Sequence, residues 1–202
     1  GKINLVDCMM LWHRDKKYYF NNWRGKYSSD GGVLTNQAIH LLDTLIFNFG
    51  KISNFDVYAD FNKNKLQAED LILINFRHEN GILSSFKATT RANKNYRSAI
   101  DVVGEKGRII VKGISLNTFS KFKKNKLVLE KKFSEDFGEN LGAAGGMGFG
   151  HKKILKEFLT KDKKSSKKLE IRENYYLLKV IHSIYNNIYK RKKFNLVKNR
   201  QS

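Results

Sequence analysis

The chain has 202 residues, 41% hydrophobic and 12% aromatic, with a formal net charge of +20 from 39 Lys and Arg against 19 Asp and Glu. This composition excludes a disordered chain and supports one good core or two small ones. No apolar run is long enough to span a bilayer, and the single cysteine, Cys8, excludes an internal disulfide and a cysteine-based zinc site.

Lys2 to Trp12 reads as a strand, marked by Ile3, Leu5 and Leu11 around an apolar Cys8-Met9-Met10 centre. Because the sequence opens at Gly1 directly in this pattern, with no secretory signal, a fragment of a longer cytoplasmic protein is expected. Arg14 to Asp30 is a polar, aromatic loop. A helix is expected from about Gly32 to Asn48, capped by Ser29 or Asp30 and stopped by Gly50. Strand-like runs follow at Ile52–Phe61, Asp70–Arg77, Ile82–Thr90, Ser98–Val103, Arg108–Val111, Ser115–Phe122 and Lys126–Phe133. Turn signals separate them: "ENG" at Glu79–Gly81, "GEKG" at Gly104–Gly107 and "KKN" at Lys123–Asn125. A glycine-rich connector, Gly138–Gly150, leads to a helix from His151 to about Thr160. A second helix is expected from Arg172 to about Lys192, with Tyr175, Leu178, Ile181, Ile184 (or Tyr185) and Ile188 at helical spacing. Between them Lys163, Lys164, Lys167 and Lys168 form a solvated loop, and Lys190 to Ser202 reads as a frayed tail. The order strand, helix, long meander, terminal helices implies a single α+β domain over residues 1–202, with one large, mostly antiparallel open sheet and helices on one face.

The net charge is compatible with nucleic acid, an anionic membrane or an acidic ligand. It is equally what a lysine-, asparagine- and isoleucine-rich composition without proline produces from AT-rich codons, and no nucleic-acid motif accompanies it. A stand-alone basic binding module for nucleic acid or another anionic partner therefore remains the alternative reading.

Asn36, His40, Asp43 and Phe47 are spaced four, three and four apart and share one face of a helix that is otherwise apolar. Polar groups there need a partner or a wet cleft. One reading is a core histidine bonded to Asp43. The other is a cleft in which His40 moves a proton, Asp43 orients it and Asn36 holds a substrate hydroxyl; histidine suits this because its ordinary pKa lies near neutrality. Tyr18, Tyr19, Trp23 and Arg24 either bind a phosphate or carboxylate and stack on a ring, or pack the domain edge. His151 opens a helix, where it faces an anion or caps the end. His13, His78 and His182 have no ligand spacing with an acidic partner, so no metal is expected.

The run "WRG…DGGVLTNQAIHLLDTL", followed in order by "AEDLILINFRHENGILSSFKATT", "IDVVGEKGRIIVKG" and "GHKKILKEFL…YYLLKVIHSIY", resembles the substrate domain of the Gfo/Idh/MocA oxidoreductases over nearly the whole chain. Within that family it is similar to the nucleotide-sugar branch that includes the UDP-N-acetylglucosaminuronate 3-dehydrogenases. The resemblance implies that a separate N-terminal Rossmann domain binds NAD or NADP. It also implies hydride transfer at a sugar carbon and proton transfer assisted by His40. Many sugar-alcohol members carry aspartate four residues before this histidine; here Asn36 stands there. No G-x-G-x-x-G follows a predicted strand and no Glu-Lys-Pro is present, so the cofactor domain is expected upstream, outside this chain. The expected partners are a sugar or nucleotide-sugar substrate and further copies of the protein, docked through the open sheet. Specific nucleic-acid binding and a membrane are not expected.

Overall fold

Alternating apolar residues build eight strands: β1 Ile3–Leu11, β2 Ile52–Asp60, β3 Leu71–His78, β4 Leu83–Thr89, β5 Arg97–Gly104, β6 Gly107–Gly113, β7 Thr118–Lys123 and β8 Lys126–Lys132. The helices are α1 Lys16–Tyr19, α2 Val33–Asn36, α3 Ile39–Phe49 and α4 Ile171–Lys198. This computed structural model describes residues 1–20, 23–61, 66–124, 126–132, 159 and 171–198, with the side chains of α4 described from 175 to 190. The connector Gly138–Gly150, His151 and the helix expected after it, and the lysine loop at Lys163–Lys168 lie outside the described residues, Leu159 alone excepted.

The strands form one open sheet in the order β2-β3-β4-β1-β5-β6-β7-β8. All neighbours are antiparallel except β1 and β4, which run parallel from Val6↔Ser84 to Leu11↔Thr89. The expected meander is thus two antiparallel runs, β2-β3-β4 and β5-β6-β7-β8, with the first strand wedged between them. β1 belongs at the centre because it is apolar on both sides: Val6, Cys8 and Met10 are buried on one face, and Leu5, Met9 and Leu11 lie on the other.

The helices cover one face. Leu41, Leu42, Leu45 and Phe49 of α3, with Leu177, Val180, Ile181, Ile184 and Ile188 of α4, pack against Val6, Cys8, Met10, Ile72, Ile74, Phe76 and Phe86. The buried stripe of α4 differs from the expected one, since Tyr175 and Leu178 are exposed and Leu177 and Val180 are buried. Two tyrosines set this rotation: the Tyr176 hydroxyl contacts the backbone of Ile52, and Tyr185 reaches the start of α2. The backbone stays helical to Lys198, past the expected end near Lys192.

The helix expected from Gly32 to Asn48 is broken. α2 ends at Asn36, and Ala38 opens α3 with φ −98° and ψ 0°. The break lets Gln37 turn its amide into the fold, where it is buried. Nor do Ser29 or Asp30 cap the start; Gly32 stands at that position without a side-chain bond, and the helix ends at Gly50, φ 93°, as its sequence dictates. The free amides of α2 are taken by Glu69 instead. Its backbone oxygen accepts from Val33 N at 2.7 Å and its Oε1 accepts from Leu34 N at 3.0 Å. The same Oε1 accepts from the Tyr185 hydroxyl at 3.0 Å. Glu69 is only 1% exposed, and its Oε2 has no hydrogen-bond partner. Gly32 is required here, because a Cβ would lie 2.2 Å from Glu69 Oε2 and 2.3 Å from the Glu69 backbone oxygen.

Burial raises the Glu69 carboxyl from 4.5 to about 7, against the lowering effect of the Leu34 amide and the Tyr185 hydroxyl. The folded state therefore keeps a proton that the unfolded chain has released. Stability should fall as pH rises from about 4.5 to about 7 and level off above that. Urea denaturation across this range should show that slope, and Glu69→Gln should flatten it. Gly32→Ala should destabilise at every pH, by roughly 3 kcal/mol or more, because backbone atoms must move to admit the methyl group.

Candidate functional site

The loop after β1 and the α2–α3 junction meet at one end of the sheet. Asp15 caps the single turn of α1 by accepting from Tyr18 N at 2.9 Å. This turns the Tyr18 ring toward α2. Its hydroxyl donates to Asn36 Oδ1 at 3.1 Å and accepts from Gln37 Nε2 at 2.9 Å, while Gln37 Nε2 also donates to Asn36 Oδ1 at 3.0 Å. Asn36 Nδ2 donates to Asp30 Oδ2, and Asp30 Oδ1 accepts from Gly25 N at 2.7 Å. The Asn36 amide is thereby held in a single orientation by three side chains.

Arginines stack around the same tyrosine. The Arg24 guanidinium carbon lies 4.1 Å from the Tyr18 ring centroid and 4.8 Å from that of Trp23, and Arg24 Nη1 donates to the Tyr18 carbonyl at 3.2 Å. Arg14 lies 5.2 Å from the Tyr18 centroid and 5.0 Å from the Trp12 centroid. The result is a ladder of alternating rings and cations, Trp12-Arg14-Tyr18-Arg24-Trp23, ending in a Trp23 side chain that is 49% exposed. Arg24 Nε is buried without a partner. The Tyr19 ring packs edge-on against that of Tyr18, with centroids 5.1 Å apart, and its hydroxyl sits 2.7 Å from Thr90 Oγ1; burial raises its pKa.

His40 and Asp43 lie on the outer, exposed side of α3 with Phe47, which is 76% exposed. No hydrogen bond joins the two side chains; the His40 carbonyl accepts from Thr44 Oγ1 at 2.7 Å. The core histidine of this domain is His78, whose Nδ1 meets the Gly50 carbonyl at 2.8 Å and whose Nε2 meets Ser84 Oγ at 2.9 Å. The structure thus brings Asn36, Arg24, Trp23 and Tyr19 together around Tyr18, and leaves His40 and Asp43 open to solvent. Gln37, Asp30 and Arg14 complete the group and are not singled out by the sequence as binding residues. The available signal is weak: a glutamine inside an apolar helix, and arginines one to six residues from aromatic ones.

The Gly31-Gly32 turn opening α2 has the look of a phosphate cradle, but its amides are already taken: Gly31 N donates to the Lys26 carbonyl at 2.9 Å, Gly32 N to the Tyr185 hydroxyl at 3.2 Å, and the two that follow to Glu69. Among the described residues the parallel pair β1–β4 carries no glycine-rich turn between strand and helix. The described residues therefore do not fit a dinucleotide. They also contain no cluster of three metal-type ligands, and no helix long and apolar enough to cross a membrane.

Residues 1–110 match the family described as the GFO/IDH/MocA C-terminal domain. No curated protein matches the chain in sequence. Among solved structures, the WlbA dehydrogenase from Bordetella pertussis, in complex with NADH and UDP-GlcNAcA, is 31% identical over 61% of this chain and 37% of its own, with a TM-score of 0.58. The WlbA dehydrogenase from Chromobacterium violaceum, with the same two ligands, is 26% identical over 92% of this chain and 52% of its own, with a TM-score of 0.68. Levoglucosan dehydrogenase, in complex with NADH and levoglucosan, is 20% identical over 65% of this chain and 39% of its own at a TM-score of 0.54, a likeness of fold alone. The chain spans about half the length of these proteins or less.

Tyr18→Phe removes the hydroxyl on which the Asn36 and Gln37 amides converge. It should cost about 1–2 kcal/mol, the usual penalty for leaving buried polar groups unpaired. Urea denaturation measures this, and near-UV circular dichroism should report the loosened Tyr18–Trp23 stack. An unchanged midpoint would show that water replaces the hydroxyl without loss.

Proposed function

We propose a function from one premise: the chain belongs to the GFO/IDH/MocA family, as a C-terminal domain of that family. On this reading it is the substrate-binding domain of an NAD(P)-dependent oxidoreductase that oxidises or reduces a sugar, and more narrowly a nucleotide sugar. The carrying observation is that the stretch from Tyr18 to His40 presents an ordered amide, stacked arginine and tryptophan, and then an exposed histidine. The WlbA proteins, which share this fold, support it by what they were crystallised with.

Oxidation of a sugar hydroxyl removes a hydride from carbon and a proton from oxygen. The nicotinamide cofactor supplies the hydride chemistry and is held outside the described residues. Within this chain neutral His40 takes the hydroxyl proton, and Asp43, one helical turn on, orients the imidazole. Asn36 aligns the hydroxyl, Trp23 and Tyr19 flank the ligand's rings, and Arg24 meets its negative charge. His151, which the sequence offers as a further anion contact, lies outside the described residues.

The sheet face that the described helices leave open is assigned to a second copy of the protein. Leu83, Leu5 and Val103 lie side by side across β4, β1 and β5 on that face, each more than a third exposed. Beside them two charges are already paired, Lys87 with Asp7 at 2.7 Å and Arg108 with Asp101, and a paired charge costs less to cover than a lone one. A cytoplasmic location is part of the same proposal.

With the protein at its full natural length, nicotinamide absorbance is followed against a panel of UDP-sugars and free sugars. His40→Asn should slow turnover by roughly 100-fold while leaving the thermal midpoint unchanged. Asp43→Asn should lose less, and Asn36→Ala should mainly raise KM. Full turnover in His40→Asn removes His40 from the chemistry. Sedimentation should give a dimer or larger assembly, and Leu5→Lys should shift it toward monomer; an unshifted assembly means that another surface joins the copies.

A further inference from the structure

An asparagine can meet a ligand with its oxygen or with its nitrogen, and at Asn36 the choice is made by Asp30. The Asp30 side chain is itself held in place. Its Oδ1 accepts from Gly25 N at 2.7 Å and its backbone carbonyl accepts from Thr35 Oγ1 at 2.8 Å, which leaves Oδ2 against Asn36. A carboxylate has no hydrogen to give. The Asn36 atom that faces it is therefore Nδ2, and Oδ1 is turned the other way.

On that side Oδ1 accepts twice, from the Tyr18 hydroxyl at 3.1 Å and from Gln37 Nε2 at 3.0 Å. A carbonyl oxygen has two lone pairs, so this end of the amide is full. Nδ2 carries two hydrogens, and one goes to Asp30. Among the described residues nothing takes the other. Asn36 is half-buried, unlike Gln37 beside it, so the group is open on one side. What it offers there is one donor and no acceptor.

This polarity suits the oxidation of a hydroxyl. The O–H bond breaks and its proton goes to His40; the C–H bond breaks and its hydride goes to an oxidised nicotinamide; a C=O bond forms. Before and after, the sugar oxygen has a lone pair to present to an N–H. A reversed amide would compete with His40 for the hydroxyl proton and would then meet the carbonyl lone pair to lone pair. Aspartate at this position would face Asp30 carboxylate to carboxylate.

We propose that Asp30 is a positioning residue of the substrate site, fixing the Asn36 amide so that Nδ2 donates to the oxygen that is oxidised. The proposal rests on the reading of the chain as a sugar-oxidising domain.

The test exchanges the two side chains in the full-length protein, with UDP-GlcNAcA, the sugar of the WlbA complexes, as probe. If the panel of sugars singles out another substrate, that sugar replaces it. Asp30→Asn keeps the shape of the side chain, but Gly25 N claims its oxygen and its own nitrogen is turned toward Asn36, donor against donor. The double variant Asp30→Asn, Asn36→Asp satisfies the network again and presents only acceptors to the ligand. Asp30→Asn should lower the thermal midpoint and weaken calorimetric binding of the probe by roughly 10-fold, the size of one lost hydrogen bond. The double variant should regain the midpoint and leave the probe as weakly bound. KM should rise in both, and kcat should fall further in the double variant, where the carboxylate at position 36 draws the hydroxyl proton away from His40. Affinity and turnover that return together with the midpoint make Asp30 a structural residue alone; the proposal then fails and the sugar-oxidising reading stands. The double variant gives this answer even if Asp30→Asn does not fold. A parent protein that oxidises no sugar of the panel removes both.

Discussion

One buried carboxyl group joins the parts of this domain that have no other reason to meet. Glu69 leaves the sheet just before β3, receives the first amides of α2 and accepts the Tyr185 hydroxyl of α4. A chain segment, a four-residue helix and a distant long helix are thereby fixed to one oxygen atom. Without it α2 is too short to hold its own place, since a single turn gains almost nothing from its internal bonds. Asn36 ends that turn, so the position of the candidate substrate amide descends from Glu69 through Gly32. The absence of a side chain at Gly32 is as much a part of the arrangement as the carboxyl.

Most strands are legible in the sequence because each carries its own alternation and the hairpins carry their own turn residues, as at Glu79–Gly81 and Gly104–Gly107. Their order across the sheet is not legible, because the partners of β1 lie far along the chain and no local feature names them. The break at Gln37 and Ala38 is invisible for a related reason. The apolar periodicity runs straight through it, and only the distant Tyr18 hydroxyl explains why a glutamine turns inward. The buried stripe at the start of α4 is not legible because Tyr175 and Leu178 fit the helical period as well as Leu177 and Val180 do; the hydroxyls of Tyr176 and Tyr185 decide between them.

The candidate site was partly legible. Chemistry-bearing residue types stand out at His40, Asn36 and Arg24, and the family resemblance gives them an order. Arg14 does not stand out in a chain with 39 basic residues, where one more cation carries no information. What separates it is the company it keeps. Arg91 and Arg108 are matched by carboxylates, whereas Arg14 and Arg24 are matched by aromatic faces, which attract a cation without neutralising it. The overall charge is thus a poor guide to this protein, and the distribution of partners is a better one.

The central place of β1 has a consequence for the order in which the protein can be assembled. Val6 must pair with both Ser84 and Val102. The first strand of this sheet to be synthesised therefore waits for its neighbours until half the domain has been made. Until then two half-sheets each expose an unpaired inner border, the kind of edge on which chains stick to one another. Only when β1 slides between them does the sheet become continuous. Synthesis is consequently the period of greatest vulnerability, and a chain so rich in lysine gains from mutual repulsion among nascent copies while that border stands open.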